Sequence, residues 1–310
     1  MKKLLTSTFF MLIAIVGSAQ ITKVETPPIQ EETIVEFDST KNLIRPKTYR
    51  VYDPSVQAFV GQKLYLKPLE EGYKRKDGYT SILSMEYDPA KPPYLYRYGT
   101  YEQLKEKTFE VVKIDTFLTE YGKYIFTLKM IEDTTFMCKY IYDGESVFFP
   151  FITMSYYNHL CNTLLGRKYV ISNLAFTEKT FEEQRKESST NLWEAKNISI
   201  SDNGILYVIV SNGANEDRII IEDFLTYSNT EEQRKAIFSE LEWNKLVKQY
   251  GLNMMKLVLS QKIQVGMPTK LVIYAWGKPK RINRSSYGYD QWVYDSQYLY
   301  IKNGKVESWN

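Results

Sequence analysis

Histidine is almost missing from this chain: His159 is the only one in 310 residues, and cysteine occurs twice, at Cys138 and Cys161. One His and two separated Cys do not make an ordinary zinc site without several carboxylates. A Cys161–His159 nucleophile pair is also disfavoured, because side chains at i and i+2 on a helix do not face each other. No Gly-x-Ser-x-Gly, His-Glu-x-x-His or phosphate-cradling loop occurs. Asp and Glu are plentiful enough for a glycosidase pair, but no spacing marks any two of them. An excess of one charge is lacking too: 40 Lys+Arg face 37 Asp+Glu. That balance supplies no large field for nucleic acid. After the first residues, no apolar run reaches the ~20 residues of a membrane span.

The N-terminus holds the one long apolar run. Lys2 and Lys3 precede Leu4–Val16, and Gly17, Ser18 and Ala19 give a small-residue cleavage site. This pattern predicts a signal peptide over residues 1–19. Its removal leaves 38 basic against 37 acidic residues, about neutral. No Cys stands at the cleavage site directly after the apolar run, so no lipid anchor is expected. The reading is an exported chain, periplasmic or extracellular, without a transmembrane segment. Export to an oxidising compartment permits a disulfide. Nothing in the sequence brings Cys138 and Cys161 together, and two buried free thiols are the favoured expectation.

Aromatics are abundant, with 26 Tyr, 15 Phe and 5 Trp, a bias that favours strands. Residues 20–50 read as a linker or arm. The next part reads as one small β unit present twice, over 51–160 and 161–228. Phe59-Val-Gly-Gln-Lys-Leu-Tyr-Leu66 resembles Leu164-Leu-Gly-Arg-Lys-Tyr-Val-Ile171, and Phe109–Ile114 resembles Trp193–Ile198. Each is followed by turns and further strands, and each copy is expected to end on an aromatic apolar cluster, Phe148–Ile152 or Phe224–Tyr227. The first copy carries an insertion, 77–107, rich in Pro and Tyr. Several short strands with turn signals indicate an all-β barrel or sandwich; an SH3-like barrel fits the size without being singled out.

Residues 229–310 read as an α+β module. Thr230 with Gln233 forms a capping box, predicting a helix through Tyr250 that is ended by Gly251. A second helix is expected over Leu252–Gln261 and a third over Lys270–Trp276, flanked by Pro268 and Gly277. Strands are expected at Arg281–Ser285, Tyr289–Tyr294, Tyr298–Lys302 and Lys305–Trp309, the last two joined by the hairpin signal Asn303-Gly304.

Ile263-x-x-Gly266-Met267, Gly277-x-Pro279, Gln291-Trp-Val-Tyr294, Tyr298-Leu-Tyr300 and Asn303-Gly-Lys-Val306 together resemble the BamE (SmpA/OmlA) family, over roughly residues 240–310. The same unit is similar to the repeats of β-lactamase inhibitor proteins. The resemblance implies two helices packed on a three- or four-stranded antiparallel sheet and a general interaction role. Family members in outer-membrane assembly are lipoproteins, and this chain lacks their anchoring Cys.

The fold expectation is therefore a mainly β chain with two duplicated barrel or sandwich units and a C-terminal α+β module. The functional expectation is non-catalytic: an envelope protein-interaction module without cofactor or metal. The alternatives are a carbohydrate- or peptidoglycan-binding protein and a hydrolase with an unrecognised acidic site. Candidate binding residues are Tyr94, Tyr96, Tyr98 and Tyr101 in the insertion and Trp292, Tyr294, Tyr298 and Tyr300 at the C-terminus. The latter four are expected to cover one face of a sheet.

Overall fold

A computed structural model describes residues 54–76, 78–117, 123–142, 149–176, 179–184, 188–228, 234–285 and 288–310. The expected signal peptide, the 20–50 arm and the Thr230–Gln233 capping box lie outside the described residues. The described chain is mainly β, in three antiparallel sheets.

The first sheet follows a 3-10 turn, Pro54–Phe59. Its strands are β1 (Lys63–Leu66), β2 (Ile82–Leu83), β3 (Thr108–Phe117), β4 (Lys123–Met130), β5 (Met137–Tyr142) and β6 (Phe151–Thr153), with a helical turn α1 (Tyr101–Leu104) before β3. They lie in the order β2-β5-β4-β3-β1-β6. Strand alternation sends Phe109, Val111, Phe126, Leu128, Cys138 and Tyr140 inward. The aromatic bias of the sequence is spent here: Tyr140 meets Phe126 at 5.7 Å and Phe151 at 5.1 Å, both edge-on. Phe59 meets Phe126 at 5.7 Å and Phe149 at 5.8 Å. Each such pair adds about 0.5–1.5 kcal/mol beyond area burial.

The second sheet follows a helix, α2 (Met154–Leu164). Its strands are β7 (Lys168–Ile171), β8 (Leu192–Ile200), β9 (Leu206–Ser211), β10 (Glu216–Ile220) and β11 (Ile237–Ser239), with α3 (Phe181–Gln184) and α4 (Ile221–Ser228) in its connections. Its order is β10-β9-β8-β7-β11. With β2 set aside, the first sheet reads β5-β4-β3-β1-β6, the same order in chain sequence. Both sheets also carry a bulge at the same place. The register slips between Val111 and Lys113 in β3 and between Ala195 and Asn197 in β8. In each, the glycine before the first strand closes on the bulge. Gly61 N–H donates to the Val111 carbonyl at 2.8 Å and Gly166 N–H to the Ala195 carbonyl at 2.9 Å. Both glycines have φ near +80° with nothing near an added Cβ, so they serve the backbone conformation alone.

The last strand of the second sheet differs from the sequence expectation. Phe224–Tyr227 lies in α4, and the strand facing the place of β6 is β11, Ile237–Ser239. The helix expected from the Thr230–Gln233 capping box through Tyr250 takes in Ile237, which pairs with Ile171 instead. That helix, α5 (Glu240–Tyr250), starts only after Ser239, whose hydroxyl accepts from the Glu242 N–H at 3.2 Å. An apolar pair followed by an amphipathic run fits a strand–helix junction as well as one helix, and local periodicity does not choose between them.

The two sheets are tied through α2, whose Tyr157 hydroxyl donates to the Ile198 carbonyl at 3.1 Å. The turn between β8 and β9 also rests on the chain leaving β1. A Cβ at Gly204 would lie 2.8 Å from the Pro68 carbonyl oxygen and 2.9 Å from Lys67 Cβ.

After α5 come α6 (Leu252–Leu259), α7 (Thr269–Trp276) and the third sheet, β12 (Arg281–Asn283), β13 (Asp290–Val293), β14 (Tyr298–Lys302) and β15 (Lys305–Trp309), in simple meander order. The α6, α7 and hairpin expectations match these bounds closely; Asn303 and Gly304 have φ of 50° and 71°, as a type I′ turn requires. The core of this part is Leu246, Met255, Val258, Leu271, Val272, Trp292, Leu299, Ile301 and Val306, and it continues into Val170 and Phe238 of the second sheet. Both cysteines are free; Cys138 is buried and Cys161 is half-buried on α2. Among the described residues no helix is long and apolar enough to cross a membrane.

Candidate functional site

The segment expected to be an insertion, 77–107, is held against the outer edge of the first sheet. β2 pairs with β5, and residues 96–98 run along the other side of β2. Ser84 N–H donates to the Tyr96 carbonyl at 2.8 Å, and Tyr98 N–H to the Ile82 carbonyl at 3.3 Å. Met85 lies in the turn that follows β2, and Leu95 in the 3-10 turn that leads into residues 96–98. Tyr94, in the 3-10 turn Pro93–Tyr96, is 64% exposed and Leu95 61%. Met85 and Tyr98 are 41% and 39% exposed. These four exposed side chains lie within one strap, residues 84–98, whose backbone is tied to the sheet edge through Ser84–Tyr96 and Ile82–Tyr98.

The predicted tyrosines of the insertion divide. Tyr94 and Tyr98 face solvent, with Tyr98 also packed on the Phe136 ring at 5.0 Å. Tyr96 is half-buried, edge-on to the buried Tyr87 at 5.7 Å. Tyr101 is buried, so it offers no contact surface. It stacks on Tyr79 at 5.6 Å, and its hydroxyl accepts from the Leu69 N–H at 3.1 Å. The Tyr79 hydroxyl donates to the Lys67 carbonyl at 2.6 Å, and burial holds it protonated far above the usual phenol range. These two rings anchor the base of the insertion. A second signal fixes Tyr101: Thr100 and Gln103 form a complete capping box around α1. The sequence carries that Thr-x-x-Gln pattern openly, although it escaped the sequence reading.

The C-terminal four also divide. Register sets Trp292 opposite Leu299 and Gln291 opposite Tyr300. Trp292 therefore shares the core face with Leu299 and is buried, while Tyr298 and Tyr300 point to the opposite face. The expectation that all four cover one face fails because this antiparallel register pairs even-numbered with odd-numbered positions. Tyr294 lies just past β13. Its hydroxyl donates to the Gly277 carbonyl at 2.9 Å and its ring meets Trp276 edge-on at 5.4 Å, so it braces the end of α7. Burial pushes its phenol well up.

The outer face of this sheet carries a row of fixed polar groups. Asn283 Nδ2 donates to Gln291 Oε1 at 2.8 Å, and Gln291 Nε2 donates to the Tyr300 hydroxyl at 3.2 Å. Tyr289 meets Tyr300 edge-on at 5.9 Å. Tyr298, on the neighbouring row, is 41% exposed.

His159 and Cys161 lie on α2. Burial lowers the imidazole below its usual value and raises the Tyr157 phenol beside Cys161. Burial pushes the Cys138 thiol up to about 12, so it stays protonated at neutral pH. Among the described residues no group of three or more His, Cys, Asp or Glu is placed to hold a metal ion. Compared with known proteins, the chain matches no family model, no curated sequence and no solved structure.

Proposed function

We propose that this is a non-catalytic exported protein that binds a protein partner in the cell envelope through the strap of its inserted segment. The observation that carries the reading is the joint exposure of Tyr94, Leu95, Met85 and Tyr98 on a backbone pinned to a sheet edge. Exposed apolar side chains gathered on one fixed segment mark an interaction surface better than scattered ones do. Tyr is suited to such contacts because it is stiff and amphipathic. Pre-fixing of the segment by hydrogen bonds also lowers the entropy lost on docking.

The same reading includes two structural inferences. The first two sheets are copies of one unit, supported by their common strand order, common bulge and matching glycines. Five strands in this order, with the first and last paired, resemble an SH3-like barrel. The C-terminal part is a BamE-like module, supported by a four-stranded antiparallel sheet with helices on one face and by the Asn303-Gly304 hairpin. Fold likeness alone assigns no activity.

The test is crosslinking in intact envelopes with a photoreactive residue placed at Tyr94. One defined adduct is expected, and it disappears when Leu95→Ser and Met85→Ser are added. N-terminal sequencing of the exported form is expected to begin at Gln20. Adducts that are absent, or unaffected by the two serines, count against the strap as the contact surface.

A further inference from the structure

Charge is unevenly placed along a chain that is nearly neutral as a whole. Residues 262–310 carry eight Lys and Arg against three Asp and Glu, a net +5, leaving 32 basic against 34 acidic in residues 1–261. Such asymmetry between parts of a chain points to an anionic partner for the basic part. Two of the three acids are already engaged with basic neighbours: Asp290 lies 3.5 Å from Arg284, and Asp295 pairs with Lys280.

The fold gathers part of this charge onto one face. The helices cover the inner side of the third sheet, through Trp292, Leu299, Ile301 and Val306. On the other side, register places Arg281 opposite Val293 and Tyr298, at one corner. Lys302 pairs with Lys305 at the opposite corner. Between them runs the Asn283–Gln291–Tyr300 row. Arg281, Tyr298, Lys302 and Lys305 are exposed. Four strands at their usual spacing make this face about 14 Å across. It combines aromatic rings, amides held in fixed orientation, and cations at its corners, with the third acid, Glu307, exposed on the edge strand β15.

We propose that this face is a second binding site, for an acidic polysaccharide. Tyr298 and Tyr300 offer ring faces and hydroxyls to sugar units. The Asn283–Gln291 row offers oriented amide groups to sugar hydroxyls. Arg281 and Lys302 meet carboxylates; the Arg guanidinium can take one in a bidentate fashion. Single-stranded nucleic acid asks for something else, a continuous basic groove tracking every phosphate, whereas here the middle of the face is neutral. The site is separate from the strap and stands independently of the partner proposed for it.

The probe is polygalacturonate, titrated into the full-length exported protein at fixed low salt and compared with neutral dextran, oligothymidylate and phosphatidylglycerol vesicles. Preferential binding of polygalacturonate is expected. Tyr298→Ala is expected to weaken it about tenfold, and Arg281→Glu with Lys302→Glu by at least that factor. The strap variant Leu95→Ser is expected to leave it unchanged. Charge reversal at Lys245 and Lys248, exposed on α5, serves as the control for simple cation count and is expected to cost less than threefold. Equal loss in that control, insensitivity to the Arg281/Lys302 pair, or equal or tighter binding to oligothymidylate, vesicles or dextran would overturn the proposal. Both corner residues are exposed, and unchanged circular dichroism separates lost binding from lost folding.

Discussion

Replacing Gly204 by alanine tests whether the first two sheets are held against each other in solution. Three glycines supply a graded comparison. Gly61, Gly166 and Gly204 have φ of +80°, +76° and +76°. Alanine at any of them adopts a left-handed backbone, at about 1–2 kcal/mol. At Gly61 and Gly166 the added methyl meets nothing within 4 Å, so that strain is the whole cost. At Gly204 it meets the Pro68 carbonyl oxygen at 2.8 Å and Lys67 Cβ at 2.9 Å. Backbone cannot move aside as a flexible side-chain tip can, so the β8–β9 turn must lift away from the exit of β1. Forced overpacking of this kind adds about 1–3 kcal/mol. The expected ranking is therefore Gly61→Ala and Gly166→Ala equal, with Gly204→Ala costing about 1–3 kcal/mol more. Urea unfolding followed by tryptophan fluorescence reads this directly. With a slope of about 3 kcal/mol per molar, the extra cost lowers the midpoint by about 0.3–1 M relative to Gly61→Ala. A Gly204→Ala midpoint at or above that of Gly61→Ala refutes the reasoning, because the turn would then not rest on Lys67–Pro68.

Three further outcomes are expected. In the native protein at pH 8, iodoacetamide should modify Cys161 and spare Cys138, with both modified after unfolding; a buried, protonated thiol is a poor nucleophile. The folded Cys138 pKa is raised above its unfolded value, so its contribution to stability is complete below pH 9 and declines as pH rises from 9 towards 12, by about 1.4 kcal/mol per unit; Cys138→Ala should flatten that slope in pH-dependent urea titrations, and an unchanged slope would count against the burial. Ser239→Ala should cost about 1 kcal/mol by removing the cap of α5, measured by thermal unfolding, with Ser239→Asp close to wild type; no loss in the alanine variant would place the start of the helix elsewhere.

What was legible in the sequence was what short-range physics sets. Gly277 after α7, the left-handed pair Asn303-Gly304 and the alternation within each strand follow from local backbone geometry, and the third sheet was predicted nearly strand by strand. The repeated Gly-polar-Lys pattern before β1 and β7 was visible for the same reason: each glycine answers one φ requirement at one bulge. Long-range decisions were not legible. Ile237 and Phe238 suit a helix or a strand alone, and only pairing with Val170 and Ile171 makes them β11. Trp292 and Tyr298 look alike as strand aromatics, yet one inter-strand register buries the first and exposes the second. Tyr94 and Tyr101 lie seven residues apart in one Tyr-rich insertion, and only the docking of its base on Lys67 and Leu69 separates anchor from exposed tip. Local sequence sets the turns, the charge and the strands of the third sheet; long-range packing makes β11 a strand and chooses which side chains face outward, because burial depends on what distant segments bring to cover them.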